Sequence, residues 1–282
     1  MNYTHLSALV RKTVSAWTDH EAPRLGAALA FYSILSLAPL VILVLGIVAI
    51  FFGHSSAEAQ IIGQVEGLVG KEGGIAIRAM IEHAQKPASG TFASIVGVIT
   101  LLFGASGVFG ELQTALNKMW DVKPKPGGGI WAMMRQRIFS FGMVLAVGFL
   151  LLVSLVVSAA LAAVGKFFGG LLPLPEFILG GINFVVSLAG IAFAFALIFK
   201  YVPDAEIAWK DVWVGAIATA FFFTVGKFLM GLYLGKAAVG SAYGAAGSIV
   251  VLIVWVYYSS MIFLFGAEFT RVIQFDRNQT PT

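Results

Sequence analysis

Six apolar stretches between Leu25 and Phe269, each long enough to cross a bilayer, constrain this chain more than any other feature. A bilayer-crossing helix needs about 20 mainly apolar residues. We read the crossings at 25–53, 91–116, 138–164, 177–199, 212–234 and 246–269. Runs such as Pro39-Leu40-Val41-Ile42-Leu43-Val44-Leu45 do not alternate apolar and polar residues, as the strands of a membrane β-barrel do. The expected fold class is therefore an all-α integral membrane protein, a six-transmembrane-helix bundle. The chain is 59% hydrophobic and 11% charged, against about half and a quarter in a soluble domain. Such a chain cannot cover itself with polar surface in water, so function is to be sought among the few polar groups left in hydrocarbon.

Positive residues favour the cytoplasmic side of short loops. Arg11, Lys12 and Arg24 precede the first span, Lys118, Lys123, Lys125, Arg135 and Arg137 follow the second, Lys200 and Lys210 follow the fourth, and Arg271 and Arg277 follow the sixth. The opposite set holds only Lys71, Arg78, Lys86, Lys166 and Lys236. N and C termini are thus expected to be cytoplasmic, with Trp120, Trp131, Trp209 and Trp213 at headgroup level. Residues 1–24 are expected to form an N-terminal cytoplasmic segment; they are mostly polar, and the span after them is far longer than a signal's apolar core, so no cleaved signal is expected. Within it, Leu6, Val10, Thr13 and Trp17 share a helical face, which predicts an interfacial helix over 5–19.

Residues 25–269 form one membrane domain, and 270–282 a cytoplasmic tail. The outer loop 54–90 carries two stripes, Ile61/Ile62/Val65/Leu68/Val69 and Ile75/Ile77/Met80/Ile81, which predict two helices separated at Lys71-Glu72-Gly73-Gly74. The stretch Lys123-Pro124-Lys125-Pro126-Gly127-Gly128-Gly129 reads as a flexible link.

Several chemistries are disfavoured by composition. Cysteine is absent, which removes disulfides, thiolate nucleophiles and Cys-based metal sites. The pattern Gly-x4-Gly-Lys-Ser/Thr of a phosphate-binding loop is missing. The net charge of +4 is explained by topology and calls for no nucleic acid. No enzyme, cofactor or metal is expected, because no nucleophile–base pair or ligand cluster is visible.

The polar groups inside the spans supply the candidate site. Lys227 follows Asp211 by 16 residues, about 24 Å along an ideal helix, in the outer half of the fifth span. It either lines a cavity and attracts an anion or snorkels to the interface. Glu111 and Glu268 lie near the inner ends of the second and sixth spans. Each either pairs with Arg24, Lys118 or Arg271 or carries a proton in a transport cycle. Tyr32 and Ser36, beside the kink expected at Pro39, together with Asn117, Tyr243 and Asn183, are the remaining ligand or helix-pairing candidates. Gly104, Gly107 and Gly110, and the Gly231/Gly235 pair, suit close helix packing, with Gly104 and Gly107 the candidate hinge.

At these residues the chain resembles the YihY/BrkB family of bacterial inner-membrane proteins over nearly its whole length. The resemblance rests on Ala30-Phe31-Tyr32-Ser33-Ile34-Leu35-Ser36-Leu37-Ala38-Pro39, on Ala115-Leu116-Asn117 with Trp120, and on Tyr201-Val202-Pro203-Asp204. It continues in Lys227, Tyr243-Gly244, Trp255 and Gly266-Ala267-Glu268. The family usually continues the last motif with Leu-Asn, whereas Phe269-Thr270 follows here. The resemblance implies a six-helix envelope protein, in a family some of whose members are labelled virulence or serum-resistance factors and to which a ribonuclease label has been attached. The residues argue against that label: His5, His20, His54 and His83 are scattered outside the spans, and Asp19-His20 lacks a third ligand.

Two functions fit the sequence. One is a transporter, permease or lipid-handling protein acting on an anionic lipid or amphipathic substrate. The other is a non-catalytic envelope scaffold or assembly factor. The bilayer is the partner in both, and homo-oligomerisation stays open.

Overall fold

The computed structural model describes residues 3–85, 107–122, 176–236 and 246–279, all in helices and the turns between them. The helices are α1 (Tyr3–Asp19), α2 (Ala22–Phe52), α3 (His54–Val69), α4 (Lys71–Gln85), α5 (107–119), α6 (Glu176–Tyr201), α7 (Trp209–Lys236) and α8 (Gly247–Gln279). The expected span 138–164, most of 91–116 and the link 123–129 lie outside the described residues, as do Gly104, Trp131 and Tyr243.

Among the described residues three helices carry windows long and apolar enough to cross a membrane: Phe184–Tyr201, Trp209–Met230 and Gly247–Arg277. The bent pair Ala22–Ala38 and Leu40–Gly46 makes a fourth if taken as one span, its 47° bend falling at Pro39. A proline inside a helix removes one backbone hydrogen bond and clashes with the preceding turn. These helices keep large apolar side chains on their outer surfaces, including Leu35 on α2, Phe184 and Val185 on α6 and Phe221, Phe228 and Leu229 on α7. Exposed apolar groups at this density suit lipid rather than water.

Helix ends follow local chemistry. Gly53 (φ 76°) and Gly70 (φ 89°) end α2 and α3 in a conformation that side chains resist, and their N–H groups donate to Ala49 and Glu66 carbonyls at 2.9 Å. The break between α3 and α4 is therefore Gly70, not Lys71-Glu72-Gly73-Gly74, which opens α4. Gly73 and Gly74 serve packing instead: an added Cβ would lie 2.6 Å from Val69 Cβ and 2.3 Å from Glu66 Cγ. The α3–α4 hairpin closes over the second half of α2 through Val41, Leu45, Val48, Ala57, Ile62, Ile77 and Ile81. It reaches the start of α8 through Val69, Ala76, Val251 and Leu252.

α8 is the hub, packing on α1, α2, α4 and α7. It runs ten residues beyond the expected end at 269, and ion pairs fasten the added turns: Arg271 to Glu268 and Asp121, Asp276 to Lys12, and Arg277 to Asp211. Between α7 and α8 two Gly-x3-Thr segments face each other reciprocally. A Cβ on Gly215 would lie 1.6 Å from Thr270 Oγ1, and one on Gly266 would lie 1.8 Å from Thr219 Oγ1. Each threonine donates to the carbonyl of the glycine four residues before it, at 2.7 Å for Thr219 and 2.8 Å for Thr270. Thr270, where the sequence departs from the family pattern, is thus half of this close contact.

The largest core joins Leu25 and Leu29 of α2, Leu116 and Met119 of α5, Phe199 of α6, Val212 of α7 and Leu264 of α8. Trp120, expected at headgroup level, is buried in this core, 6.0 Å from the Phe199 ring. From there an aromatic ladder passes through Phe195 to Phe223 at 5.7 Å and on to Trp255 at 6.1 Å.

Candidate functional site

One end of the bundle gathers charge. The chain leaves α5 through Asp121 in the left-handed region, at φ 52°. Val122 N–H donates to Asn117 O at 2.9 Å and Asp121 N–H to Lys118 O at 3.2 Å, the pairing that closes a helix end, usually with glycine at this position. An aspartate there costs about 1 kcal/mol of backbone strain, and it directs a carboxylate back over α8.

That carboxylate completes a four-membered ionic ring. Glu268 is fully buried on α8. Its Oε1 accepts from Arg271 Nη1 at 2.8 Å, and its Oε2 lies 2.8 Å from His20 Nδ1. The other face of the His20 ring, Nε2, lies 3.3 Å from Asp121 Oδ1, while Arg271 Nη2 donates to Asp121 Oδ2. His20, at the α1–α2 corner, is thus tied to α5 and α8 at once. Of the expected partners of Glu268, Arg271 is present, whereas Arg24 and Lys118 bond Glu21 at 2.7 and 2.5 Å. The Lys118 ammonium, seconded by Arg24, holds the Glu21 carboxyl below its ordinary range.

Further bonds fasten the same end. Asn117 Nδ2 donates to Asp204 Oδ2 and Asp204 N–H donates to Asn117 Oδ1, both at 2.8 Å. Two motifs far apart in the chain, Ala115-Leu116-Asn117 and Tyr201-Val202-Pro203-Asp204, therefore form one clamp between α5 and the α6–α7 turn. Arg277 of α8 pairs with buried Asp211 of α7 at 2.9 Å, and Lys12 of α1 with Asp276 of α8 at 3.6 Å.

Lys227 lies towards the other end of α7. It is half-buried and lines a crevice of about 10 Å³ with Phe223, Gly226, Met230, Trp255, Tyr258, Ser259 and Ile262. That is about room for a single water. The lining holds two hydroxyls and no carboxylate. Gly226 matters here because a Cβ would lie 2.4 Å from Ile262 Cδ1.

The other candidates do not converge on either cluster. Ser36 is buried and donates to Ser33 O at 3.1 Å within its own helix. Tyr32 is exposed, edge-on to Phe31 at 5.7 Å, and its ring meets Gly107, where a Cβ would lie 3.0 Å away. Glu111 is half-buried on α5. The side chains of Pro39 and Asn183 and the surroundings of Gly231 and Gly235 lie outside the described residues. His20 and Asp121 were the members missed by sequence reasoning; their only signal was the expected membrane side that they share with Arg271. Among the described residues no three His, Asp or Glu groups are arranged to hold a metal.

Comparison with known proteins places the chain among membrane proteins. A UPF0761 membrane protein of Ralstonia nicotianae is 26% identical over 278 residues, 96% of this chain and 60% of its own length. Another from Tolumonas auensis is 30% identical over 267 residues, 91% of this chain and 82% of the relative. A ribonuclease-like protein of Bacillus subtilis, YfkH, is 23% identical over 270 residues, 94% of this chain and 95% of the relative. The chain spans little more than half the length of some relatives, 60% of the Ralstonia protein and 57% of a Verminephrobacter eiseniae one. No solved structure matches. The family described as Virulence factor BrkB matches residues 13–282, and the chain belongs to this family of membrane proteins.

Proposed function

We propose that this protein crosses the bacterial inner membrane six times, with both termini in the cytoplasm, and that it binds and moves an anionic lipid or lipid-like amphiphile. The observation that carries this reading is Lys227. A cationic side chain costs about 3 kcal/mol on insertion scales at the bilayer centre, and less in the outer half of the span where Lys227 lies. Here it sits among aromatic and aliphatic groups with Tyr258 and Ser259 beside it and no acid in the crevice lining. A phosphate or carboxylate headgroup at the mouth of this crevice, which itself has room for about one water, would supply an opposite charge, and acyl chains suit the exposed apolar surfaces of α7. The even number of crossings is supported by the bonds that join the α1–α2 corner, the end of α5, the α6–α7 turn and the last turns of α8. No catalytic step is assigned.

The test is reconstitution in liposomes, with lipid scrambling and solute flux measured for wild type, Lys227→Ala and Glu268→Gln. The reading expects flux above empty liposomes and its loss in Lys227→Ala. Flux no different from empty liposomes contradicts transport; wild-type flux in Lys227→Ala removes the site. A second reading, a non-catalytic envelope scaffold, is favoured by the exposed polar surface of the α3–α4 hairpin, with Gln64, Glu66, Glu72, Arg78 and Glu82 outward. It expects inactive liposomes and a partner crosslinked through residues 54–85.

A further inference from the structure

We infer that the Lys227 crevice selects its lipid by headgroup: it takes a phospholipid whose phosphate carries no amine, and lays an acyl chain along one face of α7. The inference rests on the Lys227 reading and adds to it the class of lipid and the end of the bundle at which that lipid is held.

Depth places the headgroup. Trp209 and Trp213 are exposed at the start of α7, and Tyr201 is exposed at the end of α6. Exposed Trp and Tyr rings settle at headgroup level. Lys227 follows Trp209 by 18 residues, about 27 Å along an ideal helix, in a hydrocarbon core about 30 Å thick. Its flexible stem carries the ammonium to the headgroups of the leaflet opposite that aromatic end. Lys210, also exposed on α7, lies beside Trp209 and meets the other leaflet.

The lining sets the chemistry. It holds one ammonium, the hydroxyls of Tyr258 and Ser259, and no carboxylate. Among the described residues no acid pairs with Lys227. An ammonium has three donors and each hydroxyl one, and all suit phosphate oxygens at the mouth of the crevice. A headgroup ending in its own ammonium, such as ethanolamine, brings a second cation to a place that offers it no acid. A glycerol headgroup brings only hydroxyls. The chain is accommodated by α7: Ile217, Phe221, Val225 and Phe228 are all exposed, and their spacings of four, four and three put them on one face. This stripe runs about 16 Å from the level of Lys227 towards Trp213, about half of the core thickness. A soluble phosphate uses none of that surface.

The test is native mass spectrometry of the full chain released from mixed micelles that hold phosphatidylglycerol and phosphatidylethanolamine in equal amounts with identical acyl chains. Wild type and Lys227→Arg are expected to retain the glycerol lipid about fivefold over the ethanolamine lipid, the factor for one surface cation meeting one anionic lipid. Lys227→Met keeps the stem without the charge and is expected to lose most of this preference, while Lys210→Ala keeps it. Excess glycerol phosphate is expected to leave the retained lipid in place. Equal retention in wild type, an unchanged preference in Lys227→Met, or an equal loss in Lys210→Ala would each overturn the inference. So would displacement by glycerol phosphate, which assigns the site to a soluble ligand. Retention is read at equilibrium, so preference without flux in liposomes supports this site and contradicts transport, whereas flux without preference contradicts this inference alone.

Discussion

Substituting Gly266 by alanine probes the close α7–α8 contact. An added Cβ would lie 1.8 Å from Thr219 Oγ1, 2.7 Å from its Cβ and 2.8 Å from its Cγ2. Ordinary carbon–carbon contacts are about 3.5–4.0 Å. Rotating Thr219 moves Oγ1 and Cγ2 but leaves its Cβ in place, so the helices have to separate by close to an ångström. Overpacking of this kind costs about 1–3 kcal/mol, and a clash with a branch point belongs at the top of that range. Alanine regains about 1 kcal/mol of helix propensity over glycine, which leaves a net loss of about 2 kcal/mol. Gly63→Ala on α3 is the control: its Cβ meets nothing within 4 Å among the described residues, so it keeps the gain of about 1 kcal/mol. Unfolding in mixed detergent micelles should therefore separate the two variants by about 3 kcal/mol, and Thr219→Ala should recover part of the loss. Equal stability of Gly266→Ala and Gly63→Ala would refute the packing argument.

Asn117→Ala removes both bonds to Asp204 and should cost about 2–3 kcal/mol, read in the same unfolding assay. Arg271→Ala leaves Glu268 buried with only His20 beside it and should cost about 3–5 kcal/mol, well above the effect of Lys12→Ala at the exposed pair. Glu21 gives the acid limb: its carboxyl stays charged to lower pH in the folded chain than the ordinary 4.5, so its stabilisation is complete above that value and is lost as pH falls through the folded one. Melting curves between pH 6 and pH 3 should be less steep for Glu21→Gln than for wild type. Asp121→Gly relieves the left-handed backbone yet deletes the bonds to His20 and Arg271, so it should remain less stable than wild type despite the better conformer.

The bundle was readable in those parts where one physical signal governs. α6 and α7 begin and end within a few residues of expectation because charged or turn-forming residues bound their apolar runs. α8 was underestimated because apolarity stops near 269, while its last turns are held by ion pairs that an apolar run does not mark. Arg271 could be paired with Glu268 from their spacing of three on one helix. His20 could not, since 248 residues separate it from Glu268 and neither neighbourhood marks the other. Asn117 and Asp204 stood out in separate motifs, but nothing local says that they bond each other. The Gly-x3-Thr segments at Gly215 and Gly266 were visible signals, present in both helices with identical spacing, and only the antiparallel approach of α7 and α8 gives them meaning. Trp120 was misplaced because an indole at a helix end looks the same whether it faces headgroups or the Phe199 ring.

The membrane arrangement on which the account rests can be tested by accessibility labelling, and the absence of cysteine makes single-cysteine variants unambiguous. Ser15→Cys on α1 and Asn278→Cys at the end of α8 are expected to react with an impermeant maleimide only in inside-out vesicles, and Gln64→Cys on α3 only in intact spheroplasts. Labelling of positions 15 and 278 from opposite sides, or of 64 from the same side as both, would contradict it.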